Sequence, residues 1–383
     1  MIIFPNMKSI IGKKISTIPQ KIIVGGNFTL FNGTSRNRII RLNSDASVDT
    51  EFTIGTGFNS IVTRAAIQSD GKIVIVGSFT SYNGTTQNRI TRLNSDGTRD
   101  TSFTIGTGFN PGSPVTVNAI QIQSDGKIIL GGTFSSYNGT TQNGITRLNS
   151  DGTRDTSFTI GTGLGTGGSA SALAIQPDGK IVAVGVFLAY NGTAQNRITR
   201  LNSDGTRDTG FTVGTGFSNH AVSAVIIQSG DKIIIGGAFT SYNGTARNRI
   251  ISLNSDGTID TGFIGSANGN VNTLAVQSDD KILVGGAFTT YNGITKNRIL
   301  RLNSNRSLDE NEFSGVAAGF NSTVNTLAIQ SDGKIVVGGI FGTYNGTSTP
   351  YICRLNSNGT IDTAFATAVG TGFNTTVNSV TLT

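Results

Sequence analysis

The chain ends in Val377-Asn378-Ser379-Val380-Thr381-Leu382-Thr383, which repeats the apolar start of an earlier unit at residues 324–330. Each earlier copy continues through a short turn into a second apolar segment, but the last copy stops after the first segment. Near the other end, Gln20-Lys21-Ile22-Ile23-Val24-Gly25-Gly26 supplies a second segment without a recognisable first. A repeat divided between the two ends of a chain predicts a closed ring, in which the C-terminal segment completes the first unit.

Seven lysines mark the register of the repeat, at successive spacings of 51, 55, 53, 52, 49 and 53 residues. They are Lys21, Lys72, Lys127, Lys180, Lys232, Lys281 and Lys334. One unit contains four candidate strands, at 62–68, 72–79, 89–94 and 98–105, separated by Asp-Gly and Asn-Gly turn signals. Units of this size are typical of propeller blades. The sequence therefore predicts an all-β, seven-bladed β-propeller of four-stranded blades at 19–383, preceded by an N-terminal arm at 1–18.

The composition favours strands over helices, because charged residues make up only 13% of the chain and glycine is abundant. The net charge of +7 gives a mild preference for anionic partners. Cys353 is the only cysteine, which excludes a disulfide framework and a cysteine zinc site. No apolar run is long enough for membrane insertion, and Pro5 and Gly12 interrupt the N-terminal segment. We therefore expect no membrane insertion and no export by the ordinary route.

Two phenylalanines recur in every unit and predict the core between blades, because stacked blades need large rings at fixed positions. The first set is Phe28, Phe79, Phe134, Phe187, Phe239, Phe288 and Phe341. The second set is Phe52, Phe103, Phe158, Phe211, Phe263, Phe313 and Phe365. The Gly-Gly pair before the first phenylalanine, as at Gly131 and Gly132, indicates a close backbone approach or a bulge.

Two motifs carry a family resemblance: Gln-Ser-Asp-Gly-Lys-Ile-Ile-Leu-Gly-Gly-Thr-Phe at 123–134, and Arg-Leu-Asn-Ser-Asp-Gly-Thr-Arg-Asp-Thr-Ser-Phe at 92–103. With their relatives in the other units, they resemble the delta-60 repeat, a bacterial and phage β-propeller repeat of uncharacterised activity. The resemblance covers about residues 19–383. It implies the fold and a bacterial or phage context, and it supplies no catalytic residue. The chain departs from the pattern at Gly144 and Tyr351, which replace the arginine of Arg89, and at Ser252, which replaces that of Arg92.

The charged residues that recur in each unit are predicted to have a structural role. An aspartate recurs in all units, as Asp49, Asp100, Asp155, Asp208, Asp260, Asp309 and Asp362. A neighbouring arginine recurs in six, as Arg41, Arg92, Arg147, Arg200, Arg301 and Arg354. Buried ion pairs that fix strand register explain this pattern, since catalysis requires one asymmetric site.

Few residues suited to catalysis or metal binding occur in one unit only. His220, the only histidine, lies in a variable loop without an identifiable nucleophile partner, which is typical of a solvated side chain. The motif at 94–100 favours an Asp-Gly hairpin turn, with a calcium loop as the alternative. We therefore predict no enzyme activity, no cofactor and no metal site.

The connections after the second and fourth strands emerge on one face of a propeller, and that face is the predicted binding surface. Its aromatic residues are Tyr82, Tyr137, Tyr190, Tyr242, Tyr291 and Tyr344. Arg36, Arg247 and Lys296 add positive charge. Such a ring suits contact with a glycan or protein, and the alternative is that each tyrosine packs over its own turn.

These features favour a non-enzymatic structural or binding module of a phage particle, as a tail, fibre or outer decoration located in the virion. The arm at 1–18 would bind other virion proteins, and the tyrosine face would contact a host-surface glycan or protein. The alternative is an adhesion or binding propeller that is secreted or on a bacterial cell surface. An enzyme acting on polysaccharide comes third. Binding of nucleic acid is disfavoured because the basic residues are dispersed.

Overall fold

The computed structural model describes residues 20–110, 112, 114–218 and 220–383, and within them the fold is a ring of seven β blades. The arm predicted at 1–18, and its anchoring role, lie outside these residues. Each blade is a three-stranded antiparallel sheet with an inner, a middle and an outer strand, joined by a two-stranded hairpin. We number the blades 1 to 7 by the order of their middle strands. The predicted all-β seven-bladed propeller is confirmed.

The inner strands surround the centre of the ring. In blades 1 to 7 they are Val377–Leu382, Val62–Ile67, Val117–Ile122, Ser169–Ile175, Val222–Gln228, Val271–Val276 and Val324–Ile329. The middle strands are buried on both faces, as their continuous valine and isoleucine runs predict. They are Ile22–Gly26, Ile73–Gly77, Ile128–Gly132, Ile181–Val186, Lys232–Gly237, Ile282–Gly286 and Ile335–Gly339. The outer strands are Ile39–Leu42, Ile90–Leu93, Ile145–Leu148, Ile198–Leu201, Ile250–Leu253, Ile299–Leu302 and Ile352–Leu355.

The fourth strand of each blade is reduced to a single antiparallel bridge, such as that between Leu93 and Arg99 in blade 2. Beyond this bridge the chain leaves its own sheet, because the backbone N–H of Thr104 donates to the carbonyl of Asp151 in the next blade at 2.7 Å. The segment predicted as a strand at 98–105 therefore joins two blades instead of extending one.

A hairpin connects the middle and outer strands of each blade. Its two-residue turn has positive φ angles, 47° at Asn83 and 76° at Gly84 in blade 2, as the Asn-Gly signal predicts. The paired hairpin strands are Leu30–Phe31 with Thr34–Ser35, Ser81–Tyr82 with Thr85–Thr86, Ser136–Tyr137 with Thr140–Thr141, Ala189–Tyr190 with Thr193–Ala194, Ser241–Tyr242 with Thr245–Ala246, Thr290–Tyr291 with Ile294–Thr295, and Thr343–Tyr344 with Thr347–Ser348.

Helix is confined to two short pieces of the described chain, the α-helix Thr363–Val369 and the 3₁₀ turn Ser229–Asp231. The carboxylate of Asp362 caps the α-helix by accepting a hydrogen bond from the backbone N–H of Phe365 at 3.3 Å. The expectation of very little helix is confirmed.

The ring closes between the two ends of the described chain. Val377–Leu382 pairs antiparallel with Ile22–Gly26, with Ile22 opposite Leu382 and Val24 opposite Val380. On its other side, this inner strand contacts blade 2, where the Thr381 hydroxyl donates to the Ala65 carbonyl at 3.0 Å. The predicted completion of the first blade by the C-terminal strand is confirmed.

The core lies in seven wedges between adjacent blades. Both predicted phenylalanine sets are buried, and each hydrophobic cluster combines residues of two neighbouring blades. A further ring, Phe109 between blades 2 and 3, packs against Phe134 with centroids 4.3 Å apart. The glycine pair marks close backbone contact, since a Cβ at Gly132 would lie 2.2 Å from the Thr116 carbonyl oxygen.

The strand order gives the ring two different sides. The turns between inner and middle strands, and those after the outer strands, lie at one end of the strands, which we call the turn side. The hairpins and the loops between blades start from the opposite end, which we call the hairpin side. Each hairpin then bends back over the outer edge of its blade, so that the Tyr82 hydroxyl reaches the Gly97 carbonyl at 2.6 Å.

Candidate functional site

The repeated aspartates and arginines form buried ion pairs, as predicted, and the six arginines predicted to pair with them all do so. In blade 3 the Arg147 guanidinium lies 2.7 Å from the Asp155 carboxylate and stacks over the Phe158 ring at 4.6 Å. Arg147 Nη1 also donates to the Ser203 carbonyl of blade 4 at 2.5 Å. Each such arginine therefore joins its own blade to the next, and Arg354 closes the series through the Ser44 carbonyl.

The lysines that mark the repeat register bind the same aspartates, a role that the spacing did not reveal. Lys127 Nζ lies 3.0 Å from Asp155. Burial alone would raise the pKa of Asp155, but hydrogen bonds from Ser157, Lys127 and Arg147 outweigh it and hold the pKa well below its usual range. These carboxylates are therefore ionised at neutral pH and have a structural role.

Blade 5 lacks the arginine because Ser252 occupies its position, yet its aspartate is still paired. Arg306, from the turn of blade 6, places Nη2 2.9 Å from the Asp260 carboxylate. Its Nη1 donates to Gln228 Oε1 at 3.3 Å, as Arg200 Nη1 does to Gln176 Oε1 at 3.2 Å in blade 4. Arg306 thus replaces the missing guanidinium from the neighbouring blade.

The six tyrosines predicted on the binding face are buried, so that part of the predicted surface is wrong. None has more than 2% of its area exposed. In five blades the hydroxyl donates to a turn carbonyl of the same blade, as Tyr137 does to Gly152 at 2.5 Å. The ring packs under the loop that enters the blade, with Tyr137 and Phe109 centroids 4.7 Å apart. The alternative, that each tyrosine packs over its own turn, describes the structure.

The Asp-Gly motif forms the hairpin turn that the sequence favours. Asp96 Oδ1 accepts hydrogen bonds from the backbone N–H of Thr98 at 2.9 Å and from its hydroxyl at 2.6 Å. Gly97 has a φ of 87°, which glycine adopts without strain. The turn geometry accounts for the residues of this motif.

Arg36, Arg247 and Lys296 are half-buried on the hairpin side, and the structure places them in a region without acidic residues. All 22 aspartates and glutamates of the chain lie in the turns of the turn side or in the few residues that follow those turns. The hairpins and interblade loops contain only basic charges: Arg36, Arg38, Arg89, Arg197, Arg247, Arg249, Lys296 and Arg298. Charges that are dispersed along the sequence are therefore segregated in space.

The two sides also differ in how their charges are neutralised. On the turn side, lysines and arginines form ion pairs with aspartates in every blade. On the hairpin side, no described carboxylate lies within 4.0 Å of Arg247 or Lys296. Backbone carbonyls accept some of the hydrogen bonds from the arginines there, as when Arg249 Nη1 donates to the Phe239 carbonyl at 2.9 Å. The hairpin side thus keeps an uncompensated positive charge.

The centre of the ring is a channel lined by the inner strands, and its hairpin-side mouth is a cavity of about 550 Å³. One polar side chain from each blade surrounds this cavity: Thr63, Asn118, Ser171, Ser223, Asn272, Asn325 and Asn378. We call this set the polar ring. Among the residues that the structure describes, Arg64 is the only charged one that lines the cavity. The sequence contains a signal for this residue, because the other six blades have alanine, serine or threonine at the same position.

The described residues show no group of three or more histidine, cysteine, aspartate and glutamate side chains suited to a metal ion. In the same part of the chain, the structure contains no helix with the length and hydrophobicity needed to span a bilayer.

Comparison with known proteins identifies a repeat family. A family described as a domain of unknown function (DUF5122) β-propeller matches residues 21–52, 68–103, 123–158, 176–211, 228–263, 277–311 and 330–365. These matches confirm a β-propeller repeat family, and the narrower delta-60 assignment stays a prediction. No curated protein matches the chain.

Several solved structures are similar to this chain at low sequence identity. A protein of unknown function from Bacteroides caccae is 12% identical with a TM-score of 0.41, over 95% of this chain and 98% of that one. The WD40 β-propeller domain of Doa1 is 15% identical with a TM-score of 0.47, over 81% and 84%. Virginiamycin B lyase from Staphylococcus aureus is 18% identical with a TM-score of 0.43, over 79% and 83%. Similarity at this level carries no activity to this chain.

Proposed function

We infer that this chain, which belongs to the DUF5122 β-propeller family, is a non-enzymatic binding module whose hairpin side binds an acidic polysaccharide. The observation that carries this proposal is the segregation of charge: eight basic residues and no acidic residue lie in the hairpins and interblade loops. A surface of one sign attracts and orients polymers of the opposite sign. The neutral part of the surface is rich in asparagine and threonine, whose amides and hydroxyls match the hydroxyl groups of sugars.

The protonation states of the tyrosines and repeated aspartates support a binding function over acid-base catalysis. Burial raises the pKa of Tyr137, and Asp151 nearby raises it further, so this phenol stays protonated. The repeated aspartates are held ionised by their ion pairs. His220 is exposed in its loop and is the only histidine of the chain.

We test the polysaccharide proposal by reversing charge on the hairpin side. The double variant Arg247→Glu with Lys296→Glu should bind a polyuronate at least about tenfold more weakly than the wild type, because four units of charge change on a surface without counter-ions. Biolayer interferometry with immobilised polymer measures this change. Binding by the wild type should also weaken as salt is raised, since salt screens exposed charges.

The matched control is Arg99→Glu with Arg154→Glu, which makes the same charge change on the turn side, where both residues are half-buried. It should leave polyuronate binding within about twofold of the wild type. Equal losses in both double variants, or equal wild-type binding to a neutral glucan, would contradict the proposal.

An acidic polysaccharide partner places the protein outside the cell, because such polymers belong to envelopes and capsules. We therefore propose the secreted or cell-surface alternative, and the assignment to a phage particle stays a prediction from the repeats and their resemblance. Mass spectrometry of envelope fractions beside density-banded virus particles should recover the protein from the envelope or medium. Stoichiometric recovery from particles alone would restore the virion assignment.

A further inference from the structure

Arg64 is a single-copy charge at the centre of a sevenfold structure. It lies on the inner strand of blade 2, directly after a bulge at which Val62 pairs with Gly77 and Arg64 pairs with Val76. Every blade has this bulge, so it belongs to the repeat, and the arginine is what distinguishes blade 2. At the same register the other blades have small side chains: Ala119, Ala172, Ala224, Thr273, Thr326 and Ser379. The guanidinium therefore extends into space that no other blade fills.

The guanidinium is held at one nitrogen. Arg64 Nη1 donates to the carbonyl of Thr63 at 2.8 Å and to that of Asn378, in blade 1, at 3.1 Å. Within the described chain no carboxylate lies within 4.0 Å of it, and no residue accepts a hydrogen bond from Nε or Nη2. Those two nitrogens open onto the channel, with the donor spacing that binds a carboxylate or phosphate.

Arg64 is half-buried, so its two unbonded nitrogens are open to solvent or to a ligand and are not sealed in the core. The other six blades have a small uncharged side chain at this register. On the turn side the same fold satisfies its buried arginines with aspartates, as in the pair of Arg92 and Asp100 at 2.7 Å. Arg64 thus differs from the structural arginines in lacking an anion.

The surroundings of Arg64 restrict the class of anion. The polar ring contributes only neutral amides and hydroxyls to the cavity of about 550 Å³, a volume within the range of small-molecule sites. Part of the polar ring is fixed in place, because Asn325 Nδ2 donates to the Val377 carbonyl of the next inner strand at 3.3 Å. The mouth opens on the positive hairpin side, which attracts anions toward it.

We propose that the channel binds a small acidic sugar, with its carboxylate or phosphate on Arg64 and its hydroxyls on the polar ring. A uronate and a sugar phosphate share this chemistry. The site is separate from the polysaccharide surface: a free monosaccharide reaches it without contacting Arg247 or Lys296. Failure of either proposal therefore leaves the other standing.

Calorimetric titration of the full chain with glucuronate, a hexose phosphate and glucose tests the site. We expect at least one acidic sugar to bind and glucose to bind at least tenfold more weakly, since an ionic hydrogen bond is lost. Arg64→Ala should weaken binding of the acidic sugar by about 10- to 100-fold. Arg64→Lys should give an intermediate loss, because an ammonium keeps the charge without the planar fork.

Two controls separate binding from folding. Arg64→Ala should melt within a few degrees of the wild type, because it introduces the alanine of blades 3, 4 and 5 at a half-buried position. Arg99→Ala, on the turn side, should bind the acidic sugar as the wild type does. The proposal is overturned if neither acidic sugar binds the wild type at tens of millimolar, if glucose binds equally well, or if folded Arg64→Ala keeps wild-type affinity.

Discussion

A chain that ends at Thr376 should lose cooperative unfolding and aggregate, because blade 1 is left without its inner strand. The missing segment contributes Val377, which is fully buried, and Val380, which is 6% exposed. Burial of each valine contributes about 1.5 to 3 kcal/mol, and the five pairings with Ile22–Gly26 are lost as well. The deletion also exposes a sheet edge that is suited to pairing between molecules. The total is a large fraction of the 5 to 15 kcal/mol that typically stabilises a domain.

Scanning calorimetry and size-exclusion chromatography measure this effect, and removal of Thr383 alone is the control. Thr383 is exposed and bonds only to the backbone of Lys21, so its loss should shift the melting temperature by no more than a few degrees. A single sharp transition at the wild-type temperature for the chain ending at Thr376 would refute closure of the ring by this strand.

Replacement of Asp155 by asparagine should destabilise the protein by about 3 to 5 kcal/mol, because it leaves Arg147 buried without its counter-ion. The Asp155 side chain is 6% exposed and bonds to Arg147, Lys127 and Ser157, so water cannot replace the lost charge. Urea denaturation monitored by circular dichroism measures the loss. The control is Asp125→Ala in an exposed turn, which removes one hydrogen bond to the Lys127 N–H and should cost about 1 kcal/mol.

The pH dependence of the same variant gives an independent test. The pKa of Asp155 is lower in the folded state than in the unfolded state. Its stabilisation is therefore complete above the unfolded pKa of about 3.9 and is lost as the pH falls below it toward the folded pKa. The difference in stability between wild type and Asp155→Asn should be smaller at pH 3 than at pH 7. A difference that is constant across this range would show that the carboxylate charge is not what stabilises the blade.

Features that occur in every blade could be predicted from the sequence. The phenylalanine sets and the Arg-Asp pairs recur at fixed spacing, and the ring closure follows from a repeat split between residues 20–26 and 377–383. A residue that recurs at the same position in seven units is distinguished from a chance occurrence, and each of these predictions was correct. The fourth strand was the exception, because its pairing depends on the neighbouring blade.

Features that depend on side-chain direction could not be predicted in the same way. Tyr137 follows a turn signal in a polar hairpin, and nothing in its spacing shows that the hairpin folds back over its blade. Arg247 and the other basic residues are dispersed along the sequence. Only the strand order shows that every acidic residue lies on the side of the ring opposite Arg247. Arg64 is an exception to the repeat in the sequence, but only the ring of inner strands shows that it lines the central channel.

Blade 5 has Ser252 in place of the repeated arginine, and Arg306 of blade 6 pairs with its aspartate instead. This dependence limits how the gene can evolve by recombination. Repeat arrays grow and shrink when whole units are duplicated or deleted, which requires units to be interchangeable. Blade 5 depends on the guanidinium of blade 6, so deletion of blade 6 would leave Asp260 with Lys232, the Ser252 hydroxyl and the Gly262 N–H, and with no arginine. Duplication of blade 5 would create a copy with the same deficit. We therefore expect blades 5 and 6 to be duplicated or deleted together, as one unit of two repeats.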